Sequence, residues 1–312
     1  MLDAATLGDD VSLSVFRALG ELEIYGSTAQ HEIELRIRDA EILILNKVRL
    51  GADNLRNASR LKLICITATG YDNIDLAYCR EKGIGVTNVA GYSTDSVAQV
   101  TVATVLSLAC HLREYDRVCR EGVYSRSTAQ NCLKPPYFEL SGKTWGIVGL
   151  GNIGRRVASV ASALGCRVIA VRRSTTEPSP FETVSLDRLC RESDIISLHI
   201  PLSEETRGLI SRERISLMKQ GAILMNAARG AVVDEVAVAD AVLSGRIAFG
   251  TDVYSQEPYP TDHPFSRLSA CDHVLLTPHM AWGAYEARCR CLNEVAENIR
   301  AFLSGKRRSR ID

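Results

Sequence analysis

Three residues of complementary chemistry each follow a short apolar run in the second half of this sequence: Arg229 in NAARG, Glu257 in DVYSQEP and His279 in LLTPHMAW. A guanidinium binds a carboxylate through two parallel hydrogen bonds. An imidazole exchanges protons near neutral pH, and a carboxylate on its other ring nitrogen orients it and favours its charged form. Together they suit a reaction in which a carbonyl next to a carboxylate gains or loses a proton on oxygen. Singly, each has a plainer reading. Arg229 would be a surface ion pair, Glu257 before Pro258 a solvated turn residue, and His279 after Pro278 a loop histidine bonded to backbone. Their joint placement at strand ends, where ligands gather in open α/β sheets, favours the chemical reading.

The partner for that chemistry is suggested upstream. Residues 144–154 read TWGIVGLGNIG, with Gly149, Gly151 and Gly154 spaced G-x-G-x-x-G. An apolar run (Trp145–Leu150) precedes the turn, a helical pattern (Ile153–Leu164) opens at it, and a second apolar run (Arg167–Val171) follows. Strand, tight turn, helix and strand form the context a dinucleotide fold requires. Gly149 permits the turn, Gly151 lets backbone approach a pyrophosphate, and Gly154 lets the helix pack on the strand. A dinucleotide strand of this kind usually ends in an acidic residue that binds the ribose 2′-hydroxyl. Here it ends in Arg172, Arg173 and Ser174, which attract a 2′-phosphate, so NADP(H) is favoured over NAD(H). With a nicotinamide alongside, Arg229 clamps a substrate carboxylate and His279 gives a proton to a ketone oxygen as hydride arrives. Asp252 is placed to face the nicotinamide ribose or amide, and Ile200-Pro201 to line its pocket. His199, one residue earlier, is assigned a structural or cofactor-side role, and His31, His111, His263 and His273 structural ones.

The elements that must position these groups alternate along the chain. Strands are expected at Leu22–Tyr25, Glu41–Leu45, Leu63–Ile66 and Ile84–Thr87, with helical patterns near His31–Arg38 and Asp75–Lys82. An apolar-periodic stretch from Thr94 to about Cys119 is long enough to bridge two domains. Residues 125–142 read as a loop. Strands then recur at Arg167–Val171, Asp194–Ile200, Ala222–Asn226, Ile247–Val253 and His273–Thr277, the signature of a doubly wound parallel sheet. A last helix, about Trp282–Leu303, returns to the first domain. The domains expected are 1–92 with 283–312, and 93–282.

Bulk properties set bounds. The chain has 312 residues, 46 % apolar and 24 % charged, with a formal net charge of zero, as expected of a globular protein that binds neither nucleic acid nor an acidic surface. The basic run Lys306-Arg307-Arg308 reads as a frayed, solvated tail. No membrane span or signal peptide is expected. The ten cysteines form no C-x-x-C pair, no metal site is expected, and several (Cys65, Cys110, Cys166) read as small core residues of a protein in a reducing cytoplasm.

With these residues in place, the chain resembles the D-isomer-specific 2-hydroxyacid dehydrogenases over nearly its full length. The resemblance is carried by ATGYDNIDL (68–76), GYSTDSVAQ (91–99), ELSGKTWGIVGLGNIGRRVA (139–158), LHIPLSEETRGLI (198–210), MNAARGAVVDE (225–235), DVYSQEP (252–258) and LTPHMAW (276–282). LNKVRL (45–50), ATGYDNID, GYSTDSVAQ and HMAWGAYEAR are most similar to the glycerate dehydrogenase/hydroxypyruvate reductase branch. The resemblance implies two Rossmann-like domains, a dinucleotide-binding domain inserted into a smaller flavodoxin-like substrate domain, and a homodimer. It implies Arg229, His279 and Glu257 as the catalytic set. It places Thr69 and Gly70, with Arg229, His279 and Trp282, at a small 2-oxo or 2-hydroxy acid. It places Thr69, Asn152, Ile153, Ile200, Pro201, Thr206, Ala227 and Asp252 at the dinucleotide. Formate dehydrogenases have glutamine where this chain has Glu257, which argues against formate.

Three departures stand out: MLDAATLGDD begins where relatives usually have a longer first strand, Val100 replaces a frequent histidine, and Arg172 replaces the usual aspartate. The activity implied is reduction of hydroxypyruvate or glyoxylate. Two alternatives stay open: another family member (D-lactate-type, phosphite or phosphoglycerate dehydrogenase), or a non-catalytic dinucleotide sensor like the C-terminal-binding corepressors.

Overall fold

The computed structural model describes residues 1–173 and 178–312. They form two compact units, Met1–Ser93 with Trp282–Asp312, and Thr94–Ala281.

In the first unit three parallel strands, β1 (Ile42–Leu45), β2 (Leu63–Ile66) and β3 (Gly85–Thr87), pair in that order. Every residue of β2 is buried, as a sheet covered on both faces demands. The expected strand at Leu22–Tyr25 is not formed as such. That segment instead runs beside the N-terminus: Tyr25 N–H donates to Met1 O and Ala4 N–H to Tyr25 O, while Leu2 N–H donates to Ile44 O, each at 3.0 Å. Across the sheet the order is 22–25, Met1–Asp3, β1, β2, β3, the flavodoxin-like arrangement with its outer two members too sparsely bonded to count as strands. The helix Tyr285–Leu303 packs Cys291, Leu292, Val295 and Ile299 against Ile44, Leu63 and Cys65. Burial pushes the Cys65 and Cys291 thiols up to about 12, so both are inert core residues.

The basic C-terminal run is not frayed. Arg308 pairs with Glu294 at 2.6 Å, and Ile311 N–H donates to Val86 O at 3.0 Å. The Asp312 carboxylate accepts Val86 N–H at 2.8 Å, and the Arg310 guanidinium holds its pKa down at about 2. The tail is thus tied to the open edge of β3.

The second unit is a seven-stranded parallel sheet: β4 (Thr144–Val148), β5 (Arg167–Val171), β6 (Glu182–Thr183), β7 (Ile195–Leu198), β8 (Ala222–Asn226), β9 (Ile247–Thr251) and β10 (Val274–Leu276). The order is β10-β9-β8-β7-β4-β5-β6. Chain direction across the sheet therefore reverses at β4, between β5 and β7. At such a switch point the loops after β4 and β7 diverge and leave a crevice at their carboxyl ends. The Thr94–Cys119 stretch is two helices, Thr94–Ala109 and Leu112–Arg120, bent by 63°. The break is His111, held at φ 51° with Nδ1 2.8 Å from Glu114 Oε1. Both helices lie within the second unit.

Candidate active site

β4 delivers the glycine turn. Its neighbours on both sides are strands, so the chain must leave the sheet sharply, and Gly149 takes φ 99°. A Cβ there would lie 2.7 Å from Ile200 Cγ2 and 2.8 Å from His199 O. A Cβ on Gly154 would lie 1.9 Å from Gly149 O, so only glycine lets the helix Asn152–Ala163 sit this close. Gly151, the N-cap of that helix, differs: nothing lies within 4 Å of its Cβ position. Helix-start N–H groups that lack intrahelical partners thus border open space, the cradle that a pyrophosphate fits.

β5 runs directly into Arg172 and Arg173. Arg173 Nη2 is 3.6 Å from Glu205 Oε2, with both side chains largely exposed, 77 % and 82 %. Ser174 lies outside the described residues.

Past β7, His199 Nε2 is 3.0 Å from Ser197 Oγ, which accepts the Trp145 indole N–H at 2.9 Å. His199 Nδ1 has no hydrogen-bond partner among the described residues. Burial pushes the pKa of the imidazole down to about 3, so it is neutral at physiological pH. Thr206 Oγ1 accepts Ser203 N–H at 2.7 Å and donates to Pro201 O at 2.8 Å, closing the turn that carries Ile200 and Pro201.

At the end of β8 the buried Asn226 moulds the next turn. Its Oδ1 accepts Ala228 N–H and its Nδ2 donates to Arg229 O, both at 3.0 Å, and Ala227 lies between. Arg229 is extended and half-buried, with Nη1 donating to Ala228 O at 2.8 Å. The following Gly230 packs backbone on backbone: its Cβ would fall 1.9 Å from the Tyr254 carbonyl carbon.

β9 and β10 carry the remaining pair. Glu257 Oε2 lies 2.5 Å from His279 Nδ1, and Glu257 Oε1 accepts Tyr254 N–H at 3.0 Å. His279 sits at φ 53°, an unusual conformation for a residue with a Cβ. Asp252, only 2 % exposed, explains it: Oδ1 accepts Met280 N–H and Oδ2 accepts Ala281 N–H, each at 2.8 Å, and Thr277 Oγ1 donates to Oδ1 at 2.6 Å. Burial raises the pKa of the Asp252 carboxyl, and these three bonds pull it back.

Thr69, Gly70 and Trp282 belong to the first unit. Thr69 Oγ1 donates to Val89 O and Asn88 Nδ2 donates to Thr69 O, both at 2.7 Å, which ties the loop after β2 to that after β3. Trp282 meets Tyr92 edge-on at 6.4 Å. Sequence reasoning missed the structural work of Asn226 and Thr206 and the grip of Asp252 on the histidine loop. The one signal it had for Asn226 and Asp252 was a polar residue at the end of an apolar strand run.

Residues 102–281 match the family model of the D-isomer specific 2-hydroxyacid dehydrogenase NAD binding domain. The chain is 34 % identical over 303 residues to a hydroxypyruvate reductase of Blautia hydrogenotrophica, covering 95 % of this chain and 93 % of that one. It is 40 % identical over 278 residues to a glyoxylate reductase of Aeropyrum pernix, covering 87 % and 82 %. The solved structure of the TT0316 protein from Thermus thermophilus superimposes with a TM-score of 0.89 at 36 % identity, covering 96 % of each chain. The chain belongs to the D-isomer specific 2-hydroxyacid dehydrogenase family.

As a D-2-hydroxyacid dehydrogenase it is an oxidoreductase that uses a nicotinamide cofactor to interconvert 2-oxo and 2-hydroxy acids. The open N-terminus behind Gly151, with close backbone approach at Gly149 and Gly154, fits that dinucleotide. Among the described residues no cluster of three or more His, Cys, Asp or Glu side chains could hold a metal ion. Among them, too, no single helix is long and apolar enough to cross a membrane.

Proposed function

We propose that this dehydrogenase reduces hydroxypyruvate or glyoxylate to the corresponding 2-hydroxy acid, the D isomer where the product is chiral, with NADPH favoured over NADH. The observation that carries the acid–base chemistry is the Glu257–His279 pair at 2.5 Å, on a histidine loop locked by Asp252, and similarity to hydroxypyruvate and glyoxylate reductases supports the choice of substrates. Arg229 binds the substrate carboxylate. When bound, a reduced nicotinamide would supply the hydride for C2 of the 2-oxo acid. His279 gives the proton of Nε2 to the carbonyl oxygen as that oxygen becomes a hydroxyl, and takes a proton from solvent to reset. Glu257 holds Nδ1, which fixes the ring and directs the exchange to Nε2.

In this reading the second unit binds the dinucleotide, through Gly149, Gly151, Asn152, Ile153, Gly154, Ile200, Pro201, Thr206, Ala227 and Asp252. Thr69, Gly70 and Trp282 in the first unit serve the substrate, with Thr69 also near the cofactor. Arg172 and Arg173 select the 2′-phosphate, because two cations follow β5 where an acidic residue would otherwise hold the ribose 2′-hydroxyl. The resemblance further supports a homodimer, and free thiols throughout support a reducing cytoplasm.

The direct test is NADPH and NADH oxidation against glyoxylate, hydroxypyruvate, pyruvate and phenylpyruvate. The first two are expected to give the highest kcat/KM, with NADPH ahead of NADH. Comparable turnover of phenylpyruvate would reject the substrate assignment. His279→Ala is expected to lower kcat by about 10²–10⁴-fold with dinucleotide binding kept. An unchanged kcat would remove His279 as the acid.

A further inference from the structure

Glu235 has no role in the scheme above, yet its carboxylate stands where the loops of the catalytic residues meet. It is the first residue of the helix Glu235–Leu243, which the chain enters directly from the Arg229 turn through Gly230–Val232. The N-cap of that helix is Asp234, whose Oδ1 accepts Ala237 N–H at 2.9 Å, so Glu235 is not needed for capping. Its side chain, 10 % exposed, is occupied elsewhere. Oε1 accepts Ser255 N–H at 2.8 Å, and Oε2 accepts the Ser255 hydroxyl and His263 Nε2–H, the latter at 3.1 Å. Phe265 N–H donates to His263 Nδ1 at 3.2 Å, which puts the ring proton on Nε2 and makes the neutral, buried His263 a fixed donor to Glu235.

Ser255 sits between the two catalytic loops. Gly230, next to Arg229, packs on it so closely that a Cβ would lie 2.1 Å from Ser255 N. Its other neighbour, Tyr254, gives its N–H to Glu257 Oε1 at 3.0 Å and its hydroxyl to Thr277 O at 2.9 Å, two residues before His279. Hydrogen bonds therefore run from Glu235 to Ser255 and from its neighbour Tyr254 to Glu257 and the His279 loop, while Ser255 packs on the Gly230 backbone beside Arg229.

We infer that Glu235, backed by His263, is a positioning residue that sets Glu257 against His279. It touches neither substrate nor cofactor. The inference rests on the assignment of Glu257 and His279 as the acid–base pair. Its physical basis is that a misplacement of about 1 Å at a reacting group can cost on the order of 10²-fold in rate.

The test is a double-mutant cycle between Glu235→Ala and Glu257→Gln, with steady-state kinetics and dinucleotide Kd measured for each. Glu235→Ala is expected to lower kcat by about 10–100-fold while Kd for the dinucleotide stays within about twofold. Because Glu235 acts through Glu257, adding Glu235→Ala to Glu257→Gln should cost little more than Glu257→Gln alone. An unchanged kcat in Glu235→Ala, or losses that multiply in the double variant, would overturn the inference. If Glu235→Ala does not fold, Ser255→Ala takes its place. It removes only the hydroxyl donor, and its expected loss of about 3–10-fold should likewise vanish in the Glu257→Gln background. A Glu257→Gln variant with undiminished kcat would instead strike the acid–base assignment itself.

Discussion

The carboxylate of Asp252 holds the backbone N–H of Ala281 at 2.8 Å, and with the matching bond to Met280 it fixes the preceding residue, His279, at φ 53°. A buried acid with both oxygens engaged is a costly way to shape a loop, and what it shapes is the ring that Glu257 meets.

Asp252→Asn tests that grip. The amide keeps one acceptor but turns its NH2 toward a backbone N–H, leaving a buried donor without an acceptor at a cost of about 1–3 kcal/mol. A fall in Tm and a loss of kcat of about 10²-fold are expected together. Full activity with a lowered Tm would show that Asp252 serves the fold alone.

The glycine turn separates stability from affinity. Gly151→Ala places a methyl in open space, so its Tm should match that of the unaltered protein. The same methyl occupies the approach to the helix N-terminus, so dinucleotide Kd should rise by at least about tenfold. Gly154→Ala drives a methyl to 1.9 Å from Gly149 O and is expected to destabilise the second unit by roughly 1–3 kcal/mol or more. Equal Tm losses in the two variants would contradict the assignment of separate tasks.

Cofactor choice is expected to turn on the end of β5. Arg172→Asp should move the NADPH/NADH ratio of kcat/KM toward NADH by at least about tenfold, since it exchanges an attractive for a repulsive charge. Glu205, 3.6 Å from Arg173, competes for that guanidinium. The pair is exposed and worth no more than about 1 kcal/mol, so Glu205→Gln should lower KM for NADPH by only ~2–5-fold and leave KM for NADH alone. Ratios unmoved by Arg172→Asp would mean that the arginines are merely solvated.

His199 ties stability to pH. Its folded pKa of about 3 lies below the ordinary value of 6.5, so between those limits the unfolded chain binds a proton that the folded chain refuses. Its contribution is therefore complete above about pH 6.5 and is lost as pH falls toward 3, with a slope of up to ~1.4 kcal/mol per pH unit. Urea titrations from pH 7 to 4 should show a shallower fall for His199→Gln, which can still bond Ser197. Parallel curves would place the buried proton deficit elsewhere.

Much of this was readable from residue types and spacing. Period and punctuation located β2, β5 and β8 to the residue, because buried parallel strands are short apolar runs bounded by turns. G-x-G-x-x-G and the polar residues at strand ends named the cradle and Arg229, Glu257 and His279, because ligands collect at the carboxyl edge of such sheets whatever the loops contain.

Other features were decided only by the tertiary structure. The break at His111 follows from one residue's left-handed turn and a bond to Glu114, which apolar periodicity cannot register. The C-terminal tail is tied down because β3 offers an unpaired edge, a fact about sheet order and not about the basic run itself. The chain carries Asp252 and His279 as two polar residues 27 positions apart. That one clamps the loop of the other, and that Glu235 reaches Ser255, arises from parallel strands bringing distant strand ends side by side. Local sequence sets which groups are present, whereas long-range packing sets the few tenths of an ångström at which they can act.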